Sequence, residues 1–138
     1  MRPQDEPVDG NVGREGEETE EEVWRFKVDV SAVEDGVLMV ELRGDVDLYS
    51  AAEFRDAVSG PVDQGAVHII VDATKVTFMD STGLGVFVGT ARRMGQGGSL
   101  CVACGTDVRR LFEIAGLDRT IRLVTTCEEA RRALPSRE

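Results

Sequence analysis

The segment Met79-Asp80-Ser81-Thr82-Gly83-Leu84-Gly85 sets a carboxylate and two adjacent hydroxyls where an apolar, strand-like run gives way to helical spacing. A helix start leaves four backbone N–H groups without partners inside the helix and carries partial positive charge, so it favours oxygen ligands and anions. A serine at such a place can cap the helix, hold a phosphate, or accept one covalently. Asp45 and Asp47 form a second acidic pair ahead of another helical stretch, where aspartate is an ordinary cap.

The remaining reactive side chains assemble no catalytic set. His68, the only histidine, lies inside an apolar run and makes neither a metal site nor a triad. Cys101 and Cys104 have the spacing of a redox pair, but the apolar Val102 and Ala103 between them read as strand, which turns Cys101 inward; buried small hydrophobes are the ordinary alternative. Gly83, Gly85 and Gly89 do not follow the phosphate-loop pattern, and no lysine follows them. Three glycines in one helix cost roughly 1 kcal/mol each relative to alanine, which close packing or a partner surface would explain. The expectation is a binding protein with no cofactor and no metal, not an enzyme.

The elements that position these residues follow from periodicity. Residues 24–33 alternate as a half-buried strand, with Trp24, Phe26, Val28 and Val30 on one side; Asp35-Gly36 marks a hairpin turn, and 37–42 reads as the second strand. Residues 48–58 form a helix whose apolar face includes Leu48, Ala51 and Val58, ended or loosened by Ser59-Gly60-Pro61. Val67 to Val71 is a strand covered on both faces, and 81–94 is a helix stopped by Gly95. A strand at 100–103, a helix at 107–115, a strand at 121–124 and a helix at 126–134 capped by Thr126 complete the order. A hairpin followed by alternating units predicts an α/β fold: one mixed sheet, its later strands largely parallel, with about four helices packed against it.

Length and charge bound the function further. A chain of 138 residues holds one domain. Its formal net charge of -10 opposes nucleic-acid binding, which needs clustered lysine and arginine. Residues 1–22 contain nine acidic and two basic side chains with almost no large apolar ones, and are expected to be a disordered acidic tail ahead of a domain spanning 23–138. The start lacks the basic and apolar regions of a secretory signal, no run spans a bilayer, and three cysteines do not make a disulfide scaffold; the expected compartment is the cytoplasm.

Three patterns occur in one order along this topology: Gly44-Asp45-Val46-Asp47; Val71-Asp72 through Val76-Thr77-Phe78-Met79-Asp80-Ser81-Thr82-Gly83-Leu84-Gly85; and Val108 to Leu117. Over about residues 24–134 the chain resembles the STAS-domain anti-sigma-factor antagonists of bacteria. The resemblance implies partner switching. The unmodified form would bind an anti-sigma factor that is also a serine kinase and so free a sigma factor; phosphorylation on Ser81 would end binding, and a PP2C-type phosphatase would restore it. It further implies that Asp47, Asp80, Ser81, Thr82, Gly83 and Leu84 contact the partner. The alternatives are a structural STAS subunit of a stress-signalling scaffold or lipid-transport complex, and a small redox protein using Cys101 and Cys104.

Overall fold

The computed structural model describes residues 24–34 and 36–134. The expected acidic tail, residues 1–22, and Asp35 of the hairpin turn lie outside them. Five strands form one sheet in the order β1-β2-β3-β4-β5: β1 (Lys27–Glu34), β2 (Val37–Val46), β3 (His68–Met79), β4 (Ser99–Ala103) and β5 (Arg122–Val124). β1 pairs antiparallel with β2 through the turn at Gly36, whose φ of 77° suits glycine. All later pairings are parallel. The helices are α1 (Leu48–Asp63), α2 (Ser81–Met94), α3 (Thr106–Ile114) and α4 (Cys127–Arg132), with a 3-10 turn at Leu117–Arg119. The mixed α/β architecture expected from the sequence is the one observed.

Strand order explains the layering. Each crossover from β2 to β5 moves one strand in the same direction, and right-handed crossovers then put α1, α2 and α3 on one face. Alternate side chains of the strands (Leu38, Val40, Ile69, Val71, Leu100, Val102) face that layer and form the main core. Its centre is a stack of three aromatic rings, one per helix. Phe54 and Phe112 each meet Phe87 edge-on, with centroids 5.0 and 5.1 Å away. The opposite face carries Val37, Ile70 and Cys101, covered by Ala130 of α4.

Several boundaries differ from the sequence expectation. β2 continues four residues beyond Leu42, and β3 runs eight beyond Val71, because the two strands pair in parallel as far as Val46 and Met79. Backbone pairing there overrides the poor strand propensity of Gly44, Asp45 and Asp72. α1 passes through Pro61 and ends at Asp63; so close to the end, proline removes little of the helix ladder, and Gln64 N–H closes onto the Gly60 carbonyl at 2.9 Å. Trp24 precedes β1 and is 58% exposed rather than half-buried.

Two glycines have packing reasons. Gly44, with φ 84°, lies so close to the Arg25 carbonyl that a side chain there would collide with backbone. A Cβ on Gly83 would stand 2.8 Å from Val46 Cγ1 and 2.9 Å from Met79 Cγ, so the first turn of α2 sits on the sheet only as glycine. Phe87→Ala is expected to destabilise the domain by about 3–5 kcal/mol, read from urea unfolding, because the ring is fully buried and joins all three helices of the layer.

Candidate functional site

Val46 and Met79 are registered neighbours at the ends of β2 and β3, and each is followed at once by an aspartate that caps the next helix. Two helix N-termini therefore open side by side at the carboxyl end of the sheet, tied by a hydrogen bond from Asp80 N–H to the Val46 carbonyl at 3.2 Å. Asp47 Oδ1 accepts from the N–H groups of Tyr49 (3.0 Å) and Ser50 (3.1 Å). The Ser50 hydroxyl accepts from Asp47 N–H at 2.9 Å and donates to the Asp45 carbonyl at 2.8 Å, completing a capping box. Asp45 itself turns to β3 and accepts from the Thr77 hydroxyl at 2.6 Å.

The second cap removes one of the alternatives left open at Ser81, that of capping the helix. Asp80, not Ser81, is the N-cap of α2: its Oδ1 accepts from the N–H groups of Thr82 (3.0 Å) and Gly83 (3.2 Å) and from the Thr82 hydroxyl. Thr82 is thereby committed to Asp80. Ser81 is the first helical residue, exposed, and among the described residues no group bonds its hydroxyl. Gly83 is buried against Val46 and Met79, and Leu84 is half-buried against the main core. Of the residues expected to contact a partner, Ser81 and Thr82 are the exposed ones, with Asp47 and Asp80 half-buried beside them.

The Thr82 hydroxyl, aided by the two backbone N–H groups and opposed by slight burial, holds the Asp80 carboxyl below its ordinary value of 3.8. A depressed folded-state value means that the charged cap contributes stability above the unfolded value and loses it as pH falls through the folded one. The melting-temperature gap between the native protein and Asp80→Asn, which keeps a capping oxygen but not the charge, is expected to be present at neutral pH. It should close as pH is lowered below 3.8.

Cys101 and Cys104, the spacing of which suggested a redox pair, are set on opposite faces of the sheet. They are three apart along extended chain, so Cys101 faces the α4 side and Cys104 the main core. Both are buried, and burial raises both thiols above their ordinary value, the opposite of what a reactive thiolate needs. Cys127 is pushed up to about 11 by burial and then by the Asp72 carboxylate. Native protein at pH 8 should react with Ellman's reagent at Cys101 and Cys104 only as fast as it unfolds; rapid labelling of either would contradict the burial. His68 has its ring nitrogen Nδ1 2.7 Å from the Ser99 hydroxyl on the next strand. Among the described residues no group of three His, Cys, Asp or Glu is placed to hold a metal ion. No helix of the described residues is long and apolar enough to cross a membrane.

The sequence reading missed a set of exposed apolar side chains here. Leu48, expected on the buried face of α1, is 61% exposed; Tyr49 is 85% exposed and Phe78 50%. Tyr49 had one signal: it falls between the apolar positions of the helical spacing, directly behind a cap.

This mixed α/β fold matches a known class. The STAS domain model aligns with residues 30–130. The anti-sigma-F factor antagonist RsfB of Mycobacterium tuberculosis is 32% identical over 96 residues, covering 69% of this chain and 79% of that protein. The anti-sigma-B factor antagonist of Listeria monocytogenes is 39% identical over 82 residues, 58% of this chain and 72% of that one. Among solved structures, an anti-sigma factor antagonist from Mycobacterium paratuberculosis superposes with a TM-score of 0.73 at 27% identity, covering 79% of this chain and 93% of its own. The chain belongs to the STAS-domain family of anti-sigma-factor antagonists.

Proposed function

We propose that this protein is an anti-sigma-factor antagonist whose binding is switched by phosphorylation of Ser81. In the unphosphorylated state it binds a kinase-type anti-sigma factor and releases the sigma factor held there. The kinase transfers phosphate from ATP to the Ser81 hydroxyl, affinity falls, and a PP2C-type phosphatase hydrolyses the ester to restore binding. The names of the relatives support antagonism. One observation carries the choice of acceptor: Asp80 takes over the capping of α2 and engages the Thr82 hydroxyl, which leaves Ser81 exposed and unbonded.

The electrostatics suit a switch that spares the fold. A phosphate adds roughly 1.5 to 2 negative charges, here at the first residue of α2, where the helix dipole and adjacent N–H groups favour an anion. Ser81 projects from a turn fixed by Gly83 against the sheet, so no element must move to accommodate it. The penalty falls on the complex, where a dianion beside Asp47 and Asp80 meets whatever packed against the hydroxyl. A loss of about 3 kcal/mol lowers affinity more than a hundredfold.

Incubation with the kinase-type anti-sigma factor of its own cell and ATP-Mg, followed by peptide mass spectrometry, is expected to place phosphate on Ser81. Ser81→Ala should abolish incorporation, and Thr82→Ala should retain it. Ser81→Asp should bind the kinase about a hundredfold more weakly while melting within a few degrees of the native protein. Phosphate on Ser81→Ala at the native rate, or equal affinity of the serine and aspartate forms, would refute the switch.

A further inference from the structure

Six serines and threonines lie between Gly44 and Gly85, and five of them donate their hydroxyl proton within the domain. Ser50 donates to the Asp45 carbonyl and Ser59 to the Arg55 carbonyl, both at 2.8 Å. Thr74 donates to Asp72 Oδ1 and Thr77 to Asp45 Oδ1, both at 2.6 Å, and Thr82 donates to Asp80 Oδ1. Ser81 is the sixth. Thr74, Thr77 and Thr82 are exposed, as Ser81 is, so access does not distinguish the four. A carboxylate does: each threonine has an aspartate, and Ser81 has none.

The hold on Thr82 is double. Its N–H and its hydroxyl both bond the aspartate two residues earlier, the N–H at 3.0 Å, and Thr74 is held by Asp72 in the same way. Asp80 also accepts from Gly83 N–H at 3.2 Å, so its carboxylate cannot swing away without opening the first turn of α2. Two chemical consequences follow. A hydroxyl has one proton to donate, and that of Thr82 is committed to an ionised oxygen, a bond stronger than one between neutral groups. Phosphate on Thr82 would also set a dianion on the very oxygen that now touches Asp80, where like charges repel. Ser81 meets neither obstacle.

We propose that Thr82 is a latent second phosphoacceptor, masked by its hydrogen bond to Asp80, so that Asp80 determines which of two adjacent hydroxyls the kinase uses. This rests on the assignment of Ser81 above and moves part of the kinase's selectivity into its substrate. Once unmasked, Thr82 reacts as a serine would. Its Oγ1 bonds to the γ-phosphorus of ATP, the bond from that phosphorus to the β–γ bridging oxygen breaks, ADP leaves, and the hydroxyl proton passes to the base of the kinase.

The test uses the full chain, the kinase that phosphorylates Ser81 and ATP-Mg, with peptide mass spectrometry to locate the phosphate and a melting curve to check the fold. Native protein is compared with Ser81→Ala alone and with Ser81→Ala combined with Asp80→Gly or Asp80→Asn; glycine is tolerated at helix starts, and asparagine keeps an oxygen that accepts from the hydroxyl. The Asp80→Gly combination is expected to take phosphate on Thr82 at least tenfold faster than Ser81→Ala, and the Asp80→Asn combination to stay at least fivefold below it. Without any kinase, the Thr82 hydroxyl proton should be visible by NMR in the native protein at low temperature and lost to exchange in Asp80→Gly. No gain at Thr82 in the glycine combination, equal gains with glycine and asparagine, or a Thr82 proton that exchanges equally fast with and without Asp80 would each overturn the mask. Native phosphorylation on Ser81 would still leave that assignment standing. Native protein phosphorylated on Thr82, or on neither hydroxyl, would overturn both.

Discussion

The parallel pairing of β2 with β3, which reaches Val46 and Met79 through two register shifts, is the constraint on which the functional end depends. Once those residues are neighbours, the next residues must be neighbours as well, and both are aspartates that cap helices. The pairing thus creates two adjacent, partly positive helix starts from two separate stretches of sequence. The bond from Asp80 N–H to the Val46 carbonyl and the one from the Thr77 hydroxyl to Asp45 hold the two junctions together. Slippage by one residue over Val37–Glu41 and His68–Asp72 would turn the apolar side chains of β3 to the wrong face, so the core enforces the register of that segment.

The same alignment explains why the site is rigid. Gly83 lets the first turn of α2 rest directly on Val46 and Met79, and one turn later Phe87 is gripped between Phe54 and Phe112. Ser81 is the first residue of this anchored helix. A rigid platform makes a charge change at Ser81 act locally, on whatever faces it. The exposed side chains of Leu48, Tyr49 and Phe78 lie close in sequence to its two capping aspartates.

Much of this was legible along the chain. The order of strands and helices followed from hydrophobic periodicity, because burial on one or two faces leaves a period that needs no tertiary knowledge. The Thr126 cap was readable for the same reason: its capping box with Glu129 is local. The extensions of β2 and β3 were not legible, since Gly44, Asp45 and Asp72 are poor strand formers held extended by a partner strand. Helical spacing placed Leu48 on the buried face, but as the first residue of α1 it stays 61% exposed. The spacing of Cys101 and Cys104 suggested a pair; their alternation to opposite faces of the sheet separates them.

By itself the sequence determined that Asp80, Ser81 and Thr82 stand at a strand-to-helix junction, because this depends on residue types and short spacings. It also determined the alternating α/β order, from which sheet and layers follow. Only the tertiary structure decided which residue caps and which is free. A cap is a matter of ångström-scale geometry: the Asp80 carboxylate reaches the N–H groups of Thr82 and Gly83 and takes the Thr82 hydroxyl, and the Ser81 hydroxyl is left to solvent. Only the fold set the two capped helix starts side by side, because the pairing of β2 with β3 joins residues more than thirty positions apart.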